Sequence, residues 1–83
     1  MTYIKNIVTL KKKIGFSQLQ DFSEEMQKAI HKHSRLKTFV TAYHEPENGD
    51  SDKAVTIVVR SRQRELGVGE KKIILDLAKS YYI

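Results

Sequence analysis

Val55, Ile57 and Val59 alternate with Thr56, Val58, Arg60 and Arg62, and this period of two constrains the fold more than any other feature of the chain. Alternate side chains of a strand point to opposite faces, so the first set makes an apolar face that must be covered. Upstream, Lys37 to His44 also has strand-forming composition, with Phe39, Thr41 and Tyr43 on one face and Thr38, Val40 and Ala42 on the other. Neither of those faces is plainly the inward one. Pro46, Asn48, Gly49, Asp50, Ser51 and Asp52 between the two strands make a turn-rich loop, too long for a two-residue hairpin. A very short third strand, Arg64 to Val68, would complete a meander before Gly67 and Gly69 break the pattern.

Two stretches with helical spacing supply the cover. Leu19, Phe22, Met26, Ala29, Ile30 and His33 recur every three or four residues and predict a helix from about Gln18 to Ser34. Ser17 and Gln20 have the spacing of a capping box, and Asp21, Glu24 and Glu25 suit the positive end of such a helix. Ile73, Ile74, Leu77, Ala78 and Tyr81 predict a second helix from about Glu70 to Tyr82. Residues 2–14 fit either state: Tyr3, Ile4, Ile7 and Val8 make a helical stripe, whereas the Thr, Ile and Val content and the pair Val8 and Leu10 favour a strand, narrowly the better fit. The expected fold is α+β, a small antiparallel sheet of two to three strands with two helices packed on one face. Residues 1–16 add an N-terminal strand or arm to an α-β-β-(β)-α core over residues 17–83.

A chain of 83 residues supports one small core and predicts one domain. With no cysteine, disulfides, zinc–thiolate sites and thiol chemistry are excluded, and packing alone must stabilise the fold. No apolar run approaches the roughly 20 residues of a membrane span, and the lysines at 5 and 11–13 interrupt or follow the only apolar start, so a cytoplasmic protein without a signal peptide or membrane partner is expected. The net charge is +5, unevenly placed. Residues 1–16 carry four lysines and no acid, residues 53–72 carry six cations against two acids, and the middle of the chain is acidic. Such blocks favour a polyanionic partner, either nucleic acid or an acidic protein surface.

Catalytic candidates are few. His31 and His33 are two apart on a helix and point to different sides, so they do not chelate one metal, and His44 stands alone at a strand end. Glu45, Glu47, Asp50 and Asp52 do not follow the calcium-loop spacing and read as a solvated loop. No nucleophile elbow, phosphate-binding loop or dinucleotide fingerprint occurs, so neither an enzyme nor a cofactor or metal site is expected. Lys71 and Lys72 are the informative pair. In the first turn of a helix they face the positive end of its dipole, at a cost of about 0.3 to 1 kcal/mol each, whereas a phosphate would be held there by both lysines and the free backbone N–H groups. Compensation by Glu70 is the competing account. Arg60, Arg62 and Arg64 alternate on the face opposite Val55, Ile57 and Val59, where they suit phosphate contacts or a solvated strand face. Lys11, Lys12 and Lys13 form a basic run that reads as a solvated strand or helix end, or as a phosphate-binding arm.

The stretch DKAVTIVVRSRQRELGVGEKK resembles the second and third strands, glycine turn and paired lysines of double-stranded RNA-binding domains, and residues 18–83 follow that family's order of helix, three strands and helix. The resemblance implies phosphate contacts from Lys71 and Lys72 to duplex RNA, read by shape more than by sequence. The chain departs from the family in the loop Asn48, Gly49, Asp50, Ser51, Asp52, which is acidic where the family carries Gly-Pro and a histidine, and in Ile74, where a small alanine is usual. The expected function is therefore non-catalytic nucleic-acid binding, RNA rather than DNA, through Lys53, Arg64, Lys71 and Lys72 with Lys11, Lys12 and Lys13. The alternative is a protein-interaction module, such as a small adaptor or inhibitor encoded by a mobile element. It would dock a partner or a second copy through a strand edge or the tail Tyr81, Tyr82 and Ile83.

Overall fold

The computed structural model describes residues 3–44 and 55–83. Lys53 and the acidic residues Glu45, Glu47, Asp50 and Asp52 lie outside these described residues. The elements run β1 (Ile4–Leu10), a short 3-10 turn (Phe16–Gln18), α1 (Leu19–Ser34), β2 (Thr38–His44), β3 (Val55–Ser61) and α2 (Val68–Ala78). The fold is α+β: a three-stranded antiparallel sheet of order β1-β3-β2 with both helices packed against it. Because β1 and β2 each run antiparallel to β3, they are parallel to one another and separated by it, which makes a split β-α-β unit.

The central strand is the one whose alternation stands out in the sequence. Val55, Ile57 and Val59 face the helices and are fully covered, together with Val8 and Leu10 of β1, Phe22, Met26 and Ile30 of α1, and Ile74 and Ala78 of α2. The residues 2–14 segment is a strand, and Leu10 to Ile4 pair with Val55 to Ser61 in unbroken register. The ambiguity of β2 also has a physical cause. A bulge lies between Val40 and Ala42, so Val40 opposite Val59 and Tyr43 opposite Ile57 both face the core although three residues apart. One extra residue on a bulged strand shifts the alternation by one, and neither simple face is then correct.

Two expectations are corrected. No strand forms between Arg64 and Val68, because the free edge of β3 that a meander strand would need is taken by β1. After Ser61 the chain instead enters a turn with Gln63 in the left-handed region at φ 76°, so Arg64 does not continue the alternating face of Arg60 and Arg62. The Ser17–Gln20 capping box is not formed either; Ser17 lies inside the 3-10 turn and Gln18 occupies the cap position without a side-chain hydrogen bond. The second helix begins at Val68 and ends at Ala78, earlier at both ends than its apolar stripe implies. None of the described helices is long and apolar enough to cross a membrane.

Candidate nucleic-acid interface

The connection from β3 to α2 is set by a buried side chain of β1. Asn6 donates through Nδ2 to the Val59 carbonyl (3.1 Å) and to Ser61 Oγ (2.8 Å), and its Oδ1 accepts the Leu66 N–H (3.0 Å). Ser61 in turn donates to the Arg64 carbonyl at 2.8 Å. These bonds satisfy a turn that leaves the sheet, and they fix where α2 starts.

At that start the structure changes the expected chemistry. Gly67 is the helix cap, which places Glu70 at the third helical position. Glu70 is 6 % exposed; its carboxylate lies over Gly67 and pairs with Arg64 Nη2 at 2.5 Å. A glutamate at this position has the place of the acid in a capping box and suits the positive end of the helix dipole. The Arg64 hydrogen bond, seconded by nearby backbone N–H groups, holds the Glu70 carboxyl below the usual carboxylate range against the opposite push of burial. The helix terminus offered to a phosphate therefore already carries an anion. Arg64, with half of its side chain exposed, is committed to that anion and to the Glu65 carbonyl.

Lys71 and Lys72 sit in the first two turns of α2 and are exposed. They belong to a stripe of Val68, Lys71, Lys72, Leu75, Asp76, Lys79 and Tyr82, which recurs at helical spacing on the side of α2 away from Ile74 and Ala78. With Lys11 this stripe lines a cleft of about 410 Å³. Val68, 87 % exposed, Leu75 and Tyr82 supply its apolar parts, and Asp76, the one acid among the described lining residues, pairs with Lys79 at 3.5 Å. Lys11 is held in place by the chain terminus: its backbone N–H donates to the Tyr82 hydroxyl at 3.2 Å.

Of the residues singled out in the sequence, the fold thus brings Lys11, Lys71 and Lys72 to one surface and adds Lys79, which carried no signal beyond its i, i+7 spacing from Lys72. Lys12 is exposed but outside the cleft, and Lys13 is half-buried, its carbonyl accepting the Ile83 N–H at 3.0 Å. The tail is folded in. Tyr81 packs edge-on against Phe22 at 5.6 Å between ring centroids, and burial together with a hydrogen bond to Glu25 raises its pKa. Tyr82 forms an antiparallel bridge with Ile14, while Ile83 remains exposed.

Among the described residues no group of three or more His, Asp or Glu side chains stands close enough to hold a metal ion. Comparison with protein-family models, curated proteins and solved structures finds no match to this chain.

Proposed function

We propose that this chain is a non-catalytic nucleic-acid-binding module that holds a phosphate backbone along the outer flank of α2. The observation that carries this reading is the convergence of Lys11, from one end of the chain, on Lys71, Lys72 and Lys79, from the other, around one cleft. Lysines gathered at one place repel one another, and a row of phosphates relieves that repulsion while releasing counterions from the nucleic acid. From Val68 to Lys79 the cleft follows roughly 16 Å of helix, a length that suits successive phosphates better than one small anion. Because Glu70 fills the helix terminus, the lysine ammonium groups and the Tyr82 hydroxyl supply the contacts, and backbone N–H groups do not. Point charges of this kind position a backbone without reading bases. Duplex RNA is the first ligand to test and duplex DNA the second.

Titration of a labelled duplex at increasing salt tests the proposal. Three or four lysine–phosphate contacts give a slope of log K against log salt of about −3, and a flat response overturns it. Lys71→Glu combined with Lys72→Glu should weaken duplex binding about 100-fold, as repulsion replaces two contacts, without lowering the thermal midpoint.

A second reading, docking of a protein partner, is favoured by one feature. On the sheet face away from the helices, Ile7 is 61 % exposed and stands in a cross-strand row with Val58 and Ala42. Ile7→Lys would then abolish partner capture or self-association and leave duplex binding intact.

A further inference from the structure

Where β1 and β2 begin, two concavities meet. One, of about 420 Å³, is lined by the rings of Tyr3 and Phe39 and by Lys28, His31, Lys37 and Thr38. The other, of about 250 Å³, is lined by Arg35, Lys37, Arg62 and Gln63. They share Lys37, and the Arg62 guanidinium, 5.5 Å from the centre of the Tyr3 ring, joins them. Cations from the end of α1, the start of β2 and the end of β3 are thereby gathered at one place, and among the described residues no acidic side chain lines either concavity. The α1 dipole favours positive charge at its C-terminal end, which suits Arg35, and Arg62 reaches the same place from the end of β3.

Three further observations mark the same place. Arg35 (φ 63°) and Gln63 (φ 76°), the two non-glycine residues in the left-handed region among those described, both line the smaller concavity; Arg35 is the left-handed cap that ends α1, whereas the Gln63 conformation is unfavourable for its residue type, as at many ligand sites. The Thr38 hydroxyl is buried without a hydrogen-bond partner among the described residues. Tyr3 and Phe39 meet edge-to-face at 4.9 Å between centroids, which leaves ring faces at right angles beside the cations.

We propose that this end of the sheet binds single-stranded nucleic acid, with an unpaired base stacked on the Tyr3–Phe39 pair and phosphates held by Lys28, Arg35, Lys37 and Arg62. Rings stack only on bases that are not already stacked in a duplex, so the aromatic pair selects a single strand while the cations follow its backbone. An acidic peptide would satisfy the charges and leave the rings unused. The residues are distinct from those of the α2 cleft, so the two sites stand or fall separately.

Fluorescence anisotropy on the full chain, with a labelled oligouridylate of roughly 10 nucleotides, tests the site. A probe of the same length and charge that lacks bases should bind about tenfold more weakly, since stacking is lost while the phosphates stay; equal binding overturns the proposal. Lys37→Gln with Arg62→Gln should weaken oligouridylate binding at least about tenfold and leave duplex binding unchanged, whereas Lys71→Glu with Lys72→Glu should do the reverse. Single-strand affinity that survives the first pair and falls with the second assigns the strand to α2 and overturns the site. Competition by polyglutamate as effective as that by oligouridylate of equal charge also overturns it, in favour of an acidic protein. The abasic comparison uses the unaltered protein and so holds even if a variant fails to fold.

Discussion

The turn from Ser61 to Glu70 and the helix flank from Lys71 to Lys79 are adjacent in sequence and treat charge in opposite ways. In the turn, a chain of polar side chains closes on the protein itself: Asn6 on Val59, Ser61 and Leu66, Ser61 on Arg64, and Arg64 on Glu70. On the flank, Lys71 and Lys72 are exposed beside Lys11, and the acid in reach, Asp76, serves Lys79. A cation is thus evidence of a ligand only after its internal partners are known. Arg64 is a part of the fold, whereas Lys71 has no structural role that the α2 packing requires.

Substitutions can break this contrast from its structural side. Asn6→Ala has the largest expected effect. It removes four hydrogen bonds and leaves the buried Leu66 N–H unpaired, for a loss of about 2 to 4 kcal/mol in denaturant unfolding; a loss under about 0.5 kcal/mol would mean the turn is held by packing alone. Glu70→Gln comes next. It weakens the Arg64 pair and the anionic cap and should cost about 1 kcal/mol, with a distinct pH signature. The folded pKa of Glu70 is lowered, so its contribution is complete above the unfolded carboxylate pKa and is lost as pH falls through the folded value. Wild type should therefore lose its advantage over Glu70→Gln on acidification, and a constant difference from neutral to strongly acidic pH would exclude the pairing. Smallest in stability is Lys71→Glu with Lys72→Glu: at the fourth and fifth helical positions the dipole effect has fallen off, so a gain of no more than about 0.3 kcal/mol per residue is expected while duplex binding weakens about 100-fold. A destabilised double variant would show that the flank belongs to the structural side of the comparison.

The legibility of the site follows the same division. Lys71 and Lys72 stood out because lysines at a helix start oppose the dipole, a local argument that needs no neighbours. Lys79 at the helix end and Lys37 before a strand violate no local rule, and nothing in the sequence sets them apart from other surface cations. Glu70 was visible as a compensating charge, but its capture by Arg64 depends on a turn that Asn6 makes from the far end of the chain. The bulge in β2 was hidden for a related reason: Thr41 breaks the alternation only with respect to a partner strand.

The sequence by itself left residues 2–14 between helix and strand but determined the α+β class, the two helices and the inward face of β3. Each of these is a periodicity that one amphipathic element imposes on its own residues. Tertiary structure alone decided that β1 and not a third meander strand lies beside β3, that Glu70 occupies its helix terminus, and that Lys11 meets Lys71 and Lys72. A strand edge and a helix terminus each accept one occupant, and several segments of this chain were chemically able to fill them. Which one does so depends on closing the whole core, where distant residues are brought together and the free energy of burial is shared among them.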